Sequence, residues 1–144
     1  MPRGHSLVRQ ATAKDSDAVF AMAESLAATF VLELQSFEKS FNLNVNDESA
    51  RILIAEGDNG LLDGYLLGFT HHALFANGAV GWIEEMYVNE PARRSGVGTD
   101  LERAFEEWAK NRGATLIALA TRRAGSFYSA IGFEESAMYF RKLL

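Results

Sequence analysis

The stretch that decides the fold is Gly81–Trp108, "GWIEEMYVNEPARRSGVGTDLERAFEEW". It opens on a strand-like run, passes the basic pair Arg93-Arg94, and reaches the glycines Gly96 and Gly98, one residue apart. A helical pattern follows. Val97, Leu101, Ala104, Phe105 and Trp108 fall on one face, and Glu102, Arg103, Glu106, Glu107 and Lys110 on the other. A helix that starts between Gly96 and Thr99 has first-turn N–H groups without internal partners and partial positive charge from its dipole. Glycine has no Cβ, so a bulky anion approaches the main chain closely there. Bare amides with Arg93 and Arg94 at the entrance fit a pyrophosphate. The plain alternative is a tight strand-to-helix turn. A P-loop needs Gly-Lys-Ser/Thr, which is absent, and a dinucleotide fingerprint needs a small residue where Leu101 stands.

Outward from this stretch, the chain alternates between strand and helix signals. His5–Ala11 predicts a short first strand, and Thr12 with Asp15 reads as a capping box. Val19, Met22, Ala23, Leu26 and Phe30 recur at helical spacing, and Val31–Phe41 continues in that manner until "NLNVND" breaks it. Arg51–Glu56 and Leu61–Thr70 flank the turn Gly57-Asp58-Asn59-Gly60 and predict an antiparallel hairpin. A second turn at Asn77-Gly78 leads into a strand over Val80–Val88. After the helix, Arg112 suits its negative pole and Gly113 its left-handed cap. Thr115–Ala120 is nearly all apolar, as in a parallel strand buried on both faces. A short helix around Gly125–Ile131 and one or two strands within Phe133–Leu143 complete the chain. The fold class is α/β (α+β): an antiparallel hairpin set joined to a strand–helix–strand crossover.

Length and composition narrow the functions. A chain of 144 residues, 48% hydrophobic and 23% charged, suits a single domain over residues 1–144. Its net charge of -5 disfavours a general nucleic-acid binder. There is no cysteine, so disulfides, thiolate metal sites and a cysteine nucleophile drop out. No apolar leader and no run of spanning length occurs, which gives the expectation of a soluble cytoplasmic protein without a membrane partner. His71-His72 are adjacent, diverge on a strand and lack a third ligand, so no metal is expected.

The segment Trp82–Leu101 resembles motif A of the GNAT superfamily of N-acetyltransferases, Gln/Arg-x-x-Gly-x-Gly/Ala, which Arg93-Arg94-Ser95-Gly96-Val97-Gly98 fits. "WIEEMYV" is similar to that family's fourth strand, "ILIAEGDNGLLDGYLLGF" to its second and third, and "SFYSAIGF" (Ser126–Phe133) to its Phe-Tyr-x-x-x-Gly-Phe element. Pro91 sits one place later than is common, and Val31–Asp47 shares no pattern with the family. The resemblance implies a mixed, mostly antiparallel central sheet with splayed middle strands flanked by helices. It also implies acetyl-CoA as acyl donor and an amine on a small molecule or peptide as acceptor; a homodimer is compatible with it. Carried onto this sequence, the amides of Arg94, Ser95, Gly96, Val97, Gly98 and Thr99 hold the pyrophosphate, with Arg93 beside them. The run Met86-Tyr87-Val88 meets the pantetheine arm through main-chain groups of Met86 and Val88. Ser126 and Phe127 lie near the cofactor.

The chemistry of direct transfer needs a base for the acceptor ammonium and an acid for the departing thiolate. Glu84 and Glu85 are the candidate bases. Adjacent strand residues point to opposite faces, so at most one should face the acceptor, and Glu84 is preferred by a narrow margin. Tyr128 matches the tyrosine that, in the family, donates to the leaving sulfur. Other readings stay open at this point: a non-catalytic acyl-CoA sensor, an interaction module, or transfer of another acyl group.

Overall fold

A computed structural model describes residues 6–27 and 29–144 of the chain. The strands are β1 (Leu7–Gln10), β2 (Ala50–Glu56), β3 (Leu62–Ala73), β4 (Gly78–Val88) and β5 (Ala114–Leu119). The helices are α1 (Ser16–Leu26), α2 (Leu34–Val45), α3 (Val97–Asn111) and α4 (Gly125–Ala130). The strands form one five-stranded sheet in the order β1-β2-β3-β4-β5. The first four pair antiparallel, and β5 runs parallel to β4, as a crossover through α3 requires.

Turn chemistry explains the meander. Gly60 closes the β2–β3 turn at φ 77°, and its N–H donates to the Gly57 carbonyl at 3.0 Å. Asn77 takes the left-handed region at φ 59° before β4, as its short polar side chain permits. At the start of the chain, the Thr12 N–H donates to the Asp15 carboxylate at 2.8 Å, so the capping box forms on a 3₁₀ turn, Ala13–Asp15. Arg9 donates to the same carboxylate at 3.0 Å and holds Asp15 below the usual carboxylate range. His5, expected in the first strand, lies outside the described residues.

The helices occupy both faces of the sheet. Val19, Met22 and Ala23 of α1 and Phe41 of α2 pack on Ile52, Ile54 and Tyr65. Val97, Leu101 and Phe105 of α3 pack on Leu53, Ala55, Leu66 and Ile83 on the other face. Leu101 and Phe105 are fully buried, and each such side chain is worth about 1.5–3 kcal/mol of burial. Gly68 admits α3 this closely: a Cβ there would stand 2.3 Å from the Phe105 ring.

Three expectations change. The early helical pattern is two helices, one ending at Leu26 and the next starting at Leu34, and Thr29-Phe30-Val31 between them brings β-branched and aromatic side chains of poor helix propensity. The second helix also runs through Asn42–Asn44 to Val45. β5 is not buried on both faces: it ends the sheet, and Thr115 and Leu116 are exposed. The cause lies in residues 133–144, which form no strand and leave the outer side of β5 uncovered.

Candidate active site

The site is built where β4 and β5 part. Their pairing runs only from Ala79 to Ile83 on β4 and from Ala114 to Leu119 on β5. β3 stays paired with β4 to Val88. The half of β4 beyond Ile83 therefore has a partner on one side only. The Asn89 N–H donates to the Asp63 carbonyl on the β3 side at 2.7 Å. By antiparallel alternation, Met86 and Val88 turn their main-chain groups to the open side. Arg93 Nε donates to the Val88 carbonyl at 2.9 Å, and its guanidinium lies over the Tyr87 ring at 5.5 Å. Arg93 thus braces the end of β4, whereas Arg94 is exposed at the loop surface.

Arg94 stands at φ 64° and Gly96 at φ 90°, both left-handed, with Ser95 between them. Such alternation curls successive N–H groups into a concave anion cradle. Gly96 is the N-cap of α3, so the orphan amides of Val97, Gly98 and Thr99 and the positive end of the helix dipole open at the same spot. The Ser95 hydroxyl donates to the Ala92 carbonyl and ties the loop to the 3₁₀ turn Glu90–Ala92. A Cβ on Gly98 would stand 3.1 Å from the Phe127 ring. The α4 aromatic pair therefore lies directly over the first turn of α3. Ser126 is exposed in the first turn of α4, whose N-cap is Ala124.

Tyr128 is buried behind Phe127, with edge contacts to Phe127 at 5.0 Å and Phe133 at 5.5 Å. Gly132, at φ 104°, closes α4, and the Phe133 N–H returns to the Tyr128 carbonyl at 3.0 Å. Burial and the neighbouring charge of Glu102 push the phenol up to about 12, so it keeps its proton throughout the neutral range.

Glu102 was expected on the polar face of α3, yet it is 3% exposed. Its Oε1 has no hydrogen-bond partner among the described residues. Burial and the adjacent Glu106 push its carboxyl up to about 7. Lys110 Nζ, 3.0 Å from Glu106, and the hydrogen bond from Glu102 keep Glu106 ionised and below its usual range. The folded state therefore holds a proton on Glu102 that the unfolded chain releases above the ordinary value of 4.5. Stability attributable to this residue falls as pH rises from about 4.5 to about 7 and then levels. Glu106 acts in the opposite sense, but only below that window. A Glu102→Gln variant, whose amide replaces the protonated acid, should gain on the order of 1–3 kcal/mol at pH 8 and little at pH 5. Melting temperatures at the two pH values measure this; an equal shift at both would place the Glu102 carboxylate in water.

The carboxylates of β4 depart from simple alternation. Leu67 pairs with Glu85 and Gly68 with Ile83, so Glu84 is the extra residue of a β-bulge. Trp82 Nε1–H donates to Glu84 Oε2 at 2.6 Å, and Tyr65 O–H donates to Glu85 Oε1 at 2.7 Å. Ile83 and Met86 both pack against the α3 side, three residues apart. The expectation of opposite faces fails: the bulge turns Glu84 and Glu85 together toward the α1/α2 side. Glu84 is exposed, and Glu85 is half-buried. Burial, with the Glu84 charge adding to it, raises the Glu85 carboxyl, and the Tyr65 hydrogen bond partly offsets that. Sequence reasoning did not single out Tyr65, whose part depends on its register opposite Tyr87.

The family model described as "Acetyltransferase (GNAT) family" matches residues 19–133. The chain belongs to the GNAT family. Its similarity extends to an aminoalkylphosphonate N-acetyltransferase of Salmonella typhimurium, 31% identical over 95% of this chain and 90% of that protein. An aminoglycoside N(6')-acetyltransferase type 1 of Klebsiella aerogenes is 39% identical over 57% of this chain and 62% of its own. The fold matches that of an aminoglycoside N-acetyltransferase in complex with CoA at TM-score 0.82 and 21% identity, covering 99% of this chain and 98% of the other. It likewise matches glucosamine-6-phosphate N-acetyltransferase from Arabidopsis thaliana at TM-score 0.83 and 17% identity, over 96% and 97% of the two chains.

This GNAT chain is an acyltransferase, and acetyl-CoA is its donor. The residues present fit that cofactor. An anion cradle stands at the head of α3, and a half-unpaired strand with outward main-chain groups leads away from it. Among the described residues no helix is long and apolar enough to cross a membrane.

Proposed function

We propose that the chain, acting as a single catalytic domain, acetylates the primary amine of a small cationic acceptor by direct attack. The observation that carries this is the parting of β4 from β5 beyond Ile83, with the anion cradle at one end and paired carboxylates on the acceptor side. Bound acetyl-CoA supplies an activated thioester carbon. The cradle amides from Arg94 to Thr99 hold the pyrophosphate, and outward groups of Met86 and Val88 align the arm. The Val88 N–H polarises the thioester carbonyl. Phe127 closes the cradle, with Ser126 at its rim. Glu84 attracts the cationic acceptor at the mouth. Glu85, deeper and with a raised carboxyl, accepts the ammonium proton, directly or through water. Tyr128 Oη holds the proton that the departing sulfur takes. The curated relatives named above act on small amines, which supports such an acceptor over a peptide.

Thiol release from acetyl-CoA, measured over aminoalkylphosphonates, aminoglycosides, polyamines, amino acids and peptides, tests this. Turnover is expected with small cationic amines, together with a rise in melting temperature on adding acetyl-CoA alone. Gly98→Val should remove that rise, because the new side chain meets Phe127 and fills the cradle. Turnover confined to peptides would overturn the acceptor; an unchanged rise in Gly98→Val would move the pyrophosphate elsewhere.

A further inference from the structure

Glu102 is a buried acid to which the reaction above gives no task. Its Oε1 meets no hydrogen-bond partner among the described residues. Asp15, a carboxyl buried to a similar degree, is instead bonded by Arg9 and by the Thr12 N–H. A buried polar atom without a partner costs stability, and such atoms concentrate where chemistry needs them.

Glu102 lies one turn beyond Gly98 on α3, so the two share a side of the helix. That side meets the α4 aromatics: a Cβ on Gly98 would touch Phe127, and the Glu102 charge acts on the phenol of Tyr128. Toward solvent, the Glu102 carboxyl is hydrogen-bonded to that of Glu106, which is half-exposed and stands 3.0 Å from Lys110 Nζ. Arg103 is the other charge on α3 that acts on it. Tyr128 is the sole titratable side chain of α4, and β5 brings none. The acids thus form a line from the surface to the phenol.

A phenol pushed up to about 12 is a poor proton source for a thiolate. A cysteine-like thiol has a value of about 8.5, and giving up the proton would strand a phenolate in a buried place. The Glu102 carboxyl, pushed up to about 7, lies on the acid side of such a thiol, so its proton moves to sulfur downhill.

We propose that Glu102 supplies, through Tyr128, the proton that the departing coenzyme A sulfur takes. The amine nitrogen bonds to the thioester carbon, its surplus proton passes to Glu85, and the carbon–sulfur bond breaks. Sulfur takes the Tyr128 hydroxyl proton as the phenol oxygen takes the acid proton of Glu102, directly or across one water. The phenol ends neutral and Glu102 ends as a carboxylate, which regains a proton from water on the Glu106 side. Glu102 touches no substrate; it acts through Tyr128, and its role rests on Tyr128 being the donor to sulfur in the proposed function.

Single-turnover thiol release against pH tests this, with the fastest amine of the screen above as acceptor and an aminoalkylphosphonate tried first. The wild-type rate should fall as pH rises through about 7, because the donor must hold its proton. Glu102→Gln should lose that limb and run about 10-fold or more slower at pH 6, with the two rates converging by about pH 9. Glu106→Gln should move the limb to lower pH, since that neighbour raises the Glu102 value. Both variants should keep the rise in melting temperature with acetyl-CoA. Infrared titration without substrate should show an acid carbonyl that is lost over the same pH range in the wild type and is missing from Glu102→Gln. A limb that persists in Glu102→Gln, or a loss equal at every pH, overturns the proposal and leaves Tyr128 as donor on its own. Undiminished turnover in Tyr128→Phe overturns the donor reading and this proposal with it.

Discussion

Replacing Tyr128 by phenylalanine should lower kcat by about 100-fold or more, the scale of lost general acid catalysis. Acetyl-CoA affinity and melting temperature should change little. The ring contacts with Phe127 and Phe133 survive the substitution, and among the described residues the phenolic oxygen makes no hydrogen bond that folding would miss. The phenol is pushed up to about 12, so it holds its proton at every pH from 6 to 10 and adds no alkaline limb to the rate profile within that range. Steady-state thiol release across that range, with thermal shift by acetyl-CoA as the binding readout, makes the comparison. Undiminished turnover in Tyr128→Phe would return the residue to the core and leave the departing sulfur to water.

Glu85→Gln should cost kcat/KM about 10²–10⁴-fold, since an amide cannot take the ammonium proton. The pH profile carries a sharper signature. A base must be ionised, so activity falls as pH drops through its pKa. Burial raises that of Glu85 above the ordinary 4.5, so the acid limb of the profile lies above it. Tyr65 donates to the ionised carboxylate and lowers the value. Tyr65→Phe should therefore move the acid limb to higher pH. The neighbouring charge of Glu84 raises it. Glu84→Gln should move the limb to lower pH, with a smaller loss of rate. A structural role for these side chains would change rate or stability without moving the limb in opposite directions. A larger loss of turnover in Glu84→Gln than in Glu85→Gln would hand the role of base to Glu84.

Much of the architecture was legible along the chain because it rests on local chemistry. Gly57–Gly60 and Asn77-Gly78 call for turns whatever surrounds them, and the hairpins formed there. The apolar stripe of α3 needs only a 3.6-residue period, and Gly113 took the left-handed cap at φ 90°. The anion cradle was legible for a related reason, since glycines before a helical run leave exposed amides wherever that helix packs. The paired glutamates were not. Alternation is a rule for a regular strand, and one residue inserted opposite Leu67 and Gly68 reverses it. Whether a bulge forms depends on two strands matched across residues far apart in the chain. Glu102 shows the same limit: its spacing placed it on the solvated face of α3, and its burial reflects packing that helix periodicity does not encode.

The amino-acid order by itself determined where the chain turns, which runs become helix or strand, and that bare amides stand at the head of α3. These follow from φ/ψ preference and side-chain period, which act over a few residues. Tertiary structure alone decided that β5 leaves β4 after Ile83 and that Glu84 and Glu85 share a face. It also decided that Tyr65 donates to one of them, that burial pushes the Glu102 carboxyl up to about 7, and that residues 134–144 find no place on their own sheet. Each of these is a property of two segments meeting, set by register and burial.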